Sequence, residues 1–337
     1  MDSIELLGLP GSPYTRKMLA LLRYRRIPHR MVWGTHFDPP PGYPSPKIKL
    51  LPTFYFSSPE GTEVVVDSTP IVQRLEAHYP QRSVTPQDPL LRFLDLLIED
   101  FADEWLTKAM FHYRWHYAED AAHAAAWLTF TQYPQMSAHQ AQDMGHVFAQ
   151  RQKSRLSLVG SSERTAPVIE SSFQRLVGIM DGLIERQGFV LGARPASADF
   201  ALYGQLTQLG MVDPTPMRWL EHHSPRLRAW LDRMEDLSGH AAEQWLHPSA
   251  VSSHLGELLG EIGRVYAPYL MANAKALSNN QSAFETTIDG HTWTQAVFAY
   301  QRKCLDTLRE ARDNLPAHTR QQLDALLQGT GCEVLFA

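Results

Sequence analysis

The sequence predicts a small α/β domain followed by a long, mostly helical region. The first 80 residues read as strand, helix, strand, loop, two strands and helix, an order typical of an α/β unit that ends in a hairpin. After Pro89, long segments have helical periodicity and no strand pattern. We therefore expect an α/β domain over 1–80, an all-helical domain over 89–240 and a mostly helical extension over 241–337.

The first three elements follow from apolar runs and a helix-start signal. Residues 4–9 form a short apolar run that Pro10-Gly11 ends, as expected for a buried strand. Ser12-Pro13 then places a capping hydroxyl and a proline where a helix begins. Residues 31–33 are a second candidate strand.

The rest of this domain begins with a loop over 36–49 that is rich in proline and glycine. Residues 53–56 and 63–66 have the composition of two paired strands. Asp67-Ser68-Thr69-Pro70 then opens a helix over 71–78.

Helical periodicity dominates the remainder. The predicted helical segments are 90–117, 137–158, 166–187, 199–209 and 225–237. The final stretch is also mostly helical, and Asp289-Gly290 predicts a short hairpin over 286–293.

Composition narrows the classes of function. The content of 44% hydrophobic and 20% charged residues is ordinary for a globular protein, and a net charge of -5 without a dense basic stripe argues against nucleic acid as a partner. Two cysteines, Cys304 and Cys332, exclude a disulfide scaffold or a four-cysteine zinc site. We expect these cysteines, and His222-His223, to be structural or exposed. An acidic start and the lack of a long apolar run predict a soluble, cytoplasmic protein outside membranes.

Ser12 is the first candidate for chemistry. The first turn of a helix presents unpaired N–H groups and the positive end of the helix dipole. A hydroxyl there can donate a hydrogen bond to a thiolate and lower the pKa of a bound thiol. The alternative is that Ser12 only caps its helix.

Two further motifs follow along the chain. Leu51-Pro52 lies between a loop and a strand, which is a common position for proline. Asp67-Ser68 starts a helix, where backbone N–H groups can bind a carboxylate and an aspartate can hold an amino group. A plain N-cap is again the alternative.

Together these motifs resemble the glutathione S-transferase superfamily in its serine-type classes, whose N-terminal domain is thioredoxin-like. Ser12-Pro13-Tyr14-Thr15 is similar to the active-site segment, and 51–54 (Leu-Pro-Thr-Phe) to the cis-proline loop. Asp67-Ser68 matches the acidic-Ser pair of that family. Residues 189–195 and 198–200 resemble its helical-domain signature, so the resemblance implies an all-α glutathione S-transferase C-terminal-type domain.

The resemblance implies a catalytic role for Ser12, as the hydroxyl that stabilises the glutathione thiolate. Tyr14 is the runner-up. Family members that use tyrosine place it at the end of the first strand, where this chain has Leu7-Gly8-Leu9.

The same resemblance implies the residues that bind glutathione. The backbone of Leu51, before Pro52, would pair with the cysteinyl part, and Asp67 with Ser68 would bind the γ-glutamyl group. Lys49, or the lysine two residues earlier, would meet the glycine carboxylate.

A helix rich in aromatic residues supplies the candidate substrate pocket. Its candidate residues are Trp105, His112, Trp115 and His116. The two histidines have the spacing of a metal pair, and Asp120 would supply an oxygen as the third ligand. We expect no metal, and packing in the core is the alternative for all of them.

Three features depart from the family pattern. Positions 12 and 15 lack cysteine, which excludes thiol–disulfide exchange there. Ala196 stands where a Ser or Thr normally opens the capping box before Asp199. The segment after about 240 has no counterpart in an ordinary transferase.

The resemblance therefore implies an enzyme that binds glutathione as co-substrate and directs its thiol at a small hydrophobic electrophile, as in detoxifying conjugation. A glutathione-dependent lyase, dehalogenase or isomerase would use the same thiolate. A non-catalytic binding or scaffold protein on the same fold is the alternative. The family also implies a homodimer.

Overall fold

The computed structural model describes residues 4–59 and 61–337; residues 1–3 and 60 lie outside it. The first elements are β1 (Ile4–Gly8), α1 (Pro13–Tyr24), β2 (His29–Trp33), β3 (Thr53–Ser58), β4 (Gly61–Val65) and α2 (Ser68–His78). The sheet has the order β2-β1-β3-β4, with β1 parallel to β2 and antiparallel to β3, and with β3 antiparallel to β4. This mixed sheet confirms the predicted α/β fold with its closing hairpin.

Helix α1 is buried on nearly every side. Ser12 caps it and Pro13 occupies its first turn, as the sequence predicted. The buried residues of α1 include Lys17 as well as the apolar Met18 and Leu21. The helix therefore has neighbours on both faces: the domain's own core and a helix of the following domain.

The helical domain contains α3 (Pro89–Phe101), α4 (Thr107–His116), α5 (Ala118–Gln132), α6 (Ala138–Lys153), α7 (Ala166–Gln187), α8 (Ser197–Thr207), α9 (Pro214–His223) and α10 (Pro225–Met234). A π-helical segment, Ala102–Leu106, joins α3 to α4, and another, Gln208–Val212, follows α8. Helix α8 packs against both α1 and α3, so it connects the two domains.

Two of these helices were not predicted. The buried residues of α5 are Asp120, Ala121, Ala124 and Thr129, which form no apolar stripe that a periodicity search would find. Helix α9 begins with Pro214 and Pro216, which suggest a break in the sequence but are tolerated in a first turn.

The extension consists of α11 (Val251–Glu261), α12 (Ala267–Ser278), β5 (Ala283–Ile288), β6 (His291–Ala296), α13 (Ala299–Asp313) and α14 (Ala317–Leu327), with a π-helical segment, Ile262–Tyr266, before α12. Helices α13 and α14 pack on α3. Asp289 and Gly290 have φ angles of 49° and 77°, which form the predicted turn between β5 and β6. The extension shares one continuous hydrophobic core with the rest of the chain.

The unusual cap of α8 is rebuilt by carboxylates. Asp199 accepts hydrogen bonds from the backbone N–H groups of Ala196 (2.8 Å) and Val190 (2.9 Å). Asp95 of α3 accepts one from the N–H of Ala198 at 2.8 Å. The bond from the Ala198 N–H satisfies an orphan donor in the first turn of α8, and the bonds to Asp199 hold the preceding segment to the helix, although Ala196 offers no side-chain acceptor. Burial raises the pKa of Asp199 to about 7.

Both cysteines are buried and unpaired, so Cys304 and Cys332 are structural rather than exposed. His222 and His223 lie at the surface. Across residues 4–59 and 61–337, no helix combines the length and apolarity needed to cross a membrane.

Candidate functional site

Ser12 lies at the end of the loop that connects β1 to α1, as the N-cap of that helix. Its Oγ accepts a hydrogen bond from the Thr15 N–H at 3.2 Å, which is the capping bond. The same hydroxyl donates to the carbonyl oxygen of Leu51 at 3.4 Å. Ser12 therefore caps α1, and its hydroxyl proton is directed out of the helix toward the Leu51-Pro52 segment.

The Leu51-Pro52 peptide is cis, and neighbouring side chains hold the loop that precedes it. His36 is buried, and its Nε2 lies 2.7 Å from Thr53 Oγ1 and 3.3 Å from the Leu50 carbonyl oxygen. Burial lowers the pKa of His36, so the ring is neutral near neutral pH. This contact fixes both flanks of the Leu51-Pro52 segment.

The helical domain holds the loop before Ser12. Buried Arg114 donates from Nη1 to the Gly11 carbonyl oxygen at 3.0 Å, and Gln208 Nε2 donates to the Pro10 carbonyl oxygen at 3.1 Å. Arg114 is itself held by Gln208 Oε1 at 2.7 Å and by Asp213 at 2.9 Å. Residues far along the chain therefore set the position of the first-helix motif.

Helix α5 also presses on this loop. A Cβ built at Gly11 would lie 2.1 Å from Leu128 Cδ2, so a side chain larger than hydrogen requires the Leu128 side chain to move. The close approach leaves little open space on this side of Ser12.

Asp67 and Ser68 start α2, as predicted. Asp67 adopts φ 79° and, among the described residues, its side chain makes no capping bond to α2. Instead its Oδ2 accepts a hydrogen bond from the hydroxyl of Tyr300 at 3.0 Å. Ser68 Oγ accepts one from Lys17 Nζ at 3.2 Å.

Lys17 connects this motif to the helical domain. Its Nζ donates to Asp103 Oδ2 at 2.6 Å and to Glu99 Oε1 at 2.7 Å, and all three side chains are buried. Burial opposes the charge on Lys17, yet the charges of Asp103 and Glu99 outweigh it and raise the pKa of the lysine. The ammonium is therefore a fixed cation beneath Ser68.

The contacts of Tyr14 argue against a role as thiol activator. Its hydroxyl donates to the backbone carbonyl of Asp103 at 2.8 Å. Burial, together with the charge of Glu104, raises the pKa of Tyr14 well above its usual value. Its proton is engaged between the domains, which favours Ser12 over Tyr14.

The predicted pocket residues are mostly interior. Trp105 is buried, its ring centroid is 5.3 Å from that of Trp293 in the extension, and its Nε1 donates to Ser172 Oγ at 2.9 Å. His112 is fully buried, with Nδ1 2.8 Å from Ser161 Oγ. These contacts are those of packing residues.

Trp115 and His116 lie further along α4. Trp115 is buried in a separate cluster, with its ring centroid 5.7 Å from that of Phe148. His116 is partly exposed and stacks on His112 with centroids 4.6 Å apart. The assignment of these four residues to a substrate pocket stays a prediction, and for the three buried ones it requires movement.

No metal site emerges in the described part of the chain, where no group of three or more His, Cys, Asp and Glu side chains is arranged to hold an ion. Asp120 accepts hydrogen bonds from the N–H and the hydroxyl of Thr215, at 2.8 and 2.5 Å, and so caps α9. Lys47 and Lys49 are exposed on the loop before Pro52, and the role of Lys49 stays a prediction.

Sequence reasoning did not assign Lys17, Arg114 or Tyr300 to the glutathione site. Lys17 interrupts an apolar helix face without any motif around it, and Tyr300 lies 233 residues from its partner Asp67. Arg114 lies between His112 and His116, whose spacing suggests a metal pair and not a contact with the loop before Ser12. A basic residue on an otherwise apolar helix face was the one available signal, and it predicts a buried ion pair.

Comparison with known proteins places these motifs in a family. The model described as glutathione S-transferase, N-terminal domain, matches residues 6–83, and the model described as glutathione S-transferase, C-terminal domain, matches residues 149–233. No curated protein matches the sequence.

Several solved structures are similar to this chain at low sequence identity. A glutathione S-transferase-like protein from Pseudomonas syringae is 17% identical, with 69% of this chain and 67% of that chain covered and a TM-score of 0.44. A glutathione S-transferase from Methylobacterium radiotolerans, in complex with glutathione sulfonate, is 17% identical, with 73% and 98% covered and a TM-score of 0.41.

The two family models lie in the order that the motifs require. The first spans Ser12, Pro52 and Asp67, and the second spans the segment around Asp199. The mixed sheet, the cis Leu51-Pro52 peptide and the helical domain agree with them. This chain belongs to the glutathione S-transferase superfamily.

Proposed function

We propose that this protein binds glutathione in its N-terminal domain and activates the thiol with Ser12 for attack on a hydrophobic electrophile. The observation that carries the proposal is the position of α1, which touches both other motifs. Ser12 Oγ lies 3.4 Å from the Leu51 carbonyl oxygen, and Lys17 Nζ lies 3.2 Å from Ser68 Oγ. Motifs about 40 and 50 residues from α1 in sequence thus meet along one helix.

The chemistry rests on a lowered thiol pKa. The bond from Ser12 Oγ to Leu51 is long, so the hydroxyl can turn to a thiolate at little loss and form a stronger, charge-assisted bond. The positive end of α1 adds to this stabilisation. The thiolate sulfur then forms a bond to the electrophilic carbon. In a substitution the bond to the leaving group breaks and that group departs with the bonding pair; in an addition the displaced π pair moves to the neighbouring atom, which takes up a proton from solvent.

The remaining motif residues bind the tripeptide. The backbone of Leu51, beside Pro52, pairs with the cysteinyl part, and Asp67 holds the α-ammonium of the γ-glutamyl group. Ser68 Oγ accepts a hydrogen bond from Lys17, so its own hydroxyl proton is free to be donated to the γ-glutamyl α-carboxylate. Lys49 meets the glycine carboxylate from the exposed loop.

The nature of the second substrate follows from the family alone. Conjugation is the default reaction, and a lyase, dehalogenase or isomerase would use the same thiolate. We propose Trp105, His112, Trp115 and His116 as the side of the cleft that a small hydrophobic electrophile approaches. A cytoplasmic homodimer is the corresponding proposal for location and assembly.

One observation favours a second candidate function, a glutathione-binding protein without catalysis. The aromatic side chains of α4 are largely interior, and Leu128 closes on Gly11 beside Ser12. A protein of this kind would bind glutathione but lack room for an apolar group on its sulfur.

Calorimetric titration separates the two candidates. We expect reduced glutathione to bind, and S-hexylglutathione to bind more tightly because its alkyl chain enters an apolar pocket. Binding of glutathione alone would favour the non-catalytic protein. If neither compound binds, the proposed function is wrong.

Ser12→Ala tests the catalytic assignment. The pKa of the bound glutathione thiol, read from the ultraviolet absorbance of its thiolate against pH, should rise by about one unit, which lowers the ratio of thiolate to thiol about ten-fold at any given pH. Glutathione affinity should change less than turnover.

Ser137→Ala is the matched control, because Ser137 caps α6 by accepting from the Gln140 N–H at 3.4 Å. Both variants lose a helix cap, which costs about 1 kcal/mol of stability. An unchanged thiol pKa in Ser12→Ala would reduce Ser12 to the capping role that Ser137 has.

A further inference from the structure

The C-terminal extension reaches the candidate glutathione site through one side chain. Tyr300, in the first turn of α13, donates its hydroxyl to Asp67 Oδ2 at 3.0 Å. Asp67 is the residue that the proposed function assigns to the ammonium of the γ-glutamyl group. The extension therefore contacts the part of the site that would bind the γ-glutamyl end of glutathione.

Buried anchors fix the position of Tyr300. On its N-terminal side, fully buried Asn273 accepts from the Phe298 N–H at 2.8 Å and donates to the Phe298 carbonyl oxygen at 3.0 Å. On its C-terminal side, buried Gln301 donates to Glu104 Oε2 at 2.9 Å. The start of α13 is thus held on both sides. The contact between Tyr300 and Asp67 is therefore set by buried hydrogen bonds and not by two freely moving surface side chains.

Asp67 depends on this contact for its orientation. It has a left-handed backbone, φ 79°, and within the described residues its carboxylate makes no bond to the helix it precedes. A carboxylate without a partner samples several rotamers, and ordering it on ligand binding opposes affinity. A donor on Oδ2 removes that freedom and leaves Oδ1 as an acceptor.

We propose that Tyr300 is a positioning residue of the glutathione site: it orients Asp67 so that the free carboxylate oxygen receives the α-ammonium of the γ-glutamyl group. This inference rests on the proposed function. It makes the extension a working part of the site and predicts selectivity for ligands that carry an ammonium at that end.

Protonation supports this role. Burial, with the charge of Asp67, raises the pKa of Tyr300, so its hydroxyl stays a donor throughout the physiological range. Tyr300 is nevertheless 40% exposed, and so the contact borders solvent that a ligand can displace. The carboxylates near Tyr300 are Asp67 and Glu104, and both favour the neutral phenol; the Lys303 ammonium lies 5.9 Å from the ring centroid.

The test compares two ligands on the full chain. Tyr300→Phe keeps the ring and removes the donor. Calorimetry should show glutathione bound about 3- to 10-fold more weakly, which is the range expected for one lost hydrogen bond. Glutaryl-cysteinylglycine, which lacks the ammonium, should bind both proteins equally. Tyr117→Phe, which removes a comparable phenol–carboxylate bond to Glu170, is the control and should leave both affinities unchanged.

A second comparison keeps the inference testable if Tyr300→Phe loosens the extension. In an Asp67→Asn background, Tyr300→Phe should cause no further loss of glutathione affinity, because the carboxylate that it orients is gone. Equal losses for both ligands, or an additive loss in that background, would assign Tyr300 a general structural role and overturn the inference.

The outcomes also separate this inference from the proposed function. If the unaltered protein binds glutathione and Tyr300→Phe binds it as well or better, the positioning role is wrong and the function stands. If the unaltered protein binds neither ligand, the proposed function fails first.

Discussion

Replacement of Lys17 with methionine tests whether one buried ammonium holds the two domains together at the candidate site. Methionine matches the length and apolar stem of lysine, so the change removes mainly the charge and its bonds. Lys17 Nζ makes three: to Asp103 at 2.6 Å, to Glu99 at 2.7 Å and to Ser68 at 3.2 Å. Its removal leaves two buried carboxylates without their cation.

The expected loss is large and depends on pH. Breaking a buried ion pair by removing one partner costs about 3–5 kcal/mol. Burial already raises the pKa of Asp103 to about 6, from 3.8, while Lys17 opposes that rise. Without Lys17 the pKa rises further, so the folded variant holds a proton that the unfolded chain releases. A group with a raised pKa stabilises the fold at low pH and loses that contribution as pH rises.

The variant should therefore be closer to the wild type in acid than in base. One extra bound proton changes the free energy of unfolding by about 1.4 kcal/mol per pH unit, so the loss should be about 1–3 kcal/mol greater at about pH 8 than at about pH 5.5. Urea denaturation at both pH values measures it, provided that the transition is shown to be two-state.

Two variants complete the experiment. Lys275→Met, at an exposed position of α12, should change stability by less than about 0.5 kcal/mol. Adding Asp103→Asn to Lys17→Met should recover part of the loss at the higher pH, because one uncompensated charge is gone. A small loss that is equal at both pH values would refute the reasoning, since it would mean that solvent already reaches the carboxylates.

Two further predictions concern close packing and buried charge. Gly204→Ala should destabilise the fold by about 1–3 kcal/mol in urea denaturation, because its Cβ would lie 2.5 Å from the Pro13 carbonyl oxygen. Gly256→Ala, with no described atom within 4 Å of its Cβ, should instead stabilise α11 by about 0.5–1 kcal/mol, and a loss there as large as at Gly204 would contradict the packing argument. Burial raises the pKa of Glu104 to about 8, from 4.5, so the stability that its protonated form gives is lost progressively as pH rises from about 4.5 to about 8. Glu104→Gln keeps an acceptor for Gln301, and the rise that it causes in the denaturation midpoint should be larger at about pH 8 than at about pH 5; an equal effect at both would show that the carboxyl is not buried.

Much of the fold was readable from the chain because its signals are local. Ser12-Pro13 marks the start of α1, and Asp289-Gly290 marks the turn between β5 and β6, since cap and turn chemistry act within a few residues. The α/β order of the first domain was predicted from short apolar runs, strand composition, and turn and helix-start residues. Helix α5 was missed because its buried face is made of small and polar residues that give no apolar stripe.

The candidate site divides in the same way. The sequence named Ser12, the Leu51-Pro52 peptide and Asp67-Ser68 from their order, and the structure brings them together around α1. The sequence did not indicate which aromatic residues of α4 are interior. The helical period shows which residues share a face, but it does not show what covers that face. The burial of Trp105 against Trp293 depends on an extension almost 190 residues away.

What the sequence determined by itself was the class of fold, the family and the three motifs, because each is encoded in neighbouring residues. What only the tertiary structure decided was the set of long-range partners: Lys17 beneath Ser68, Arg114 on the Gly11 carbonyl, and Tyr300 on Asp67. Such contacts join residues whose separation in sequence carries no pattern. They exist because packing of the whole chain places a donor within hydrogen-bond distance of an acceptor, and packing is a property that no short segment contains.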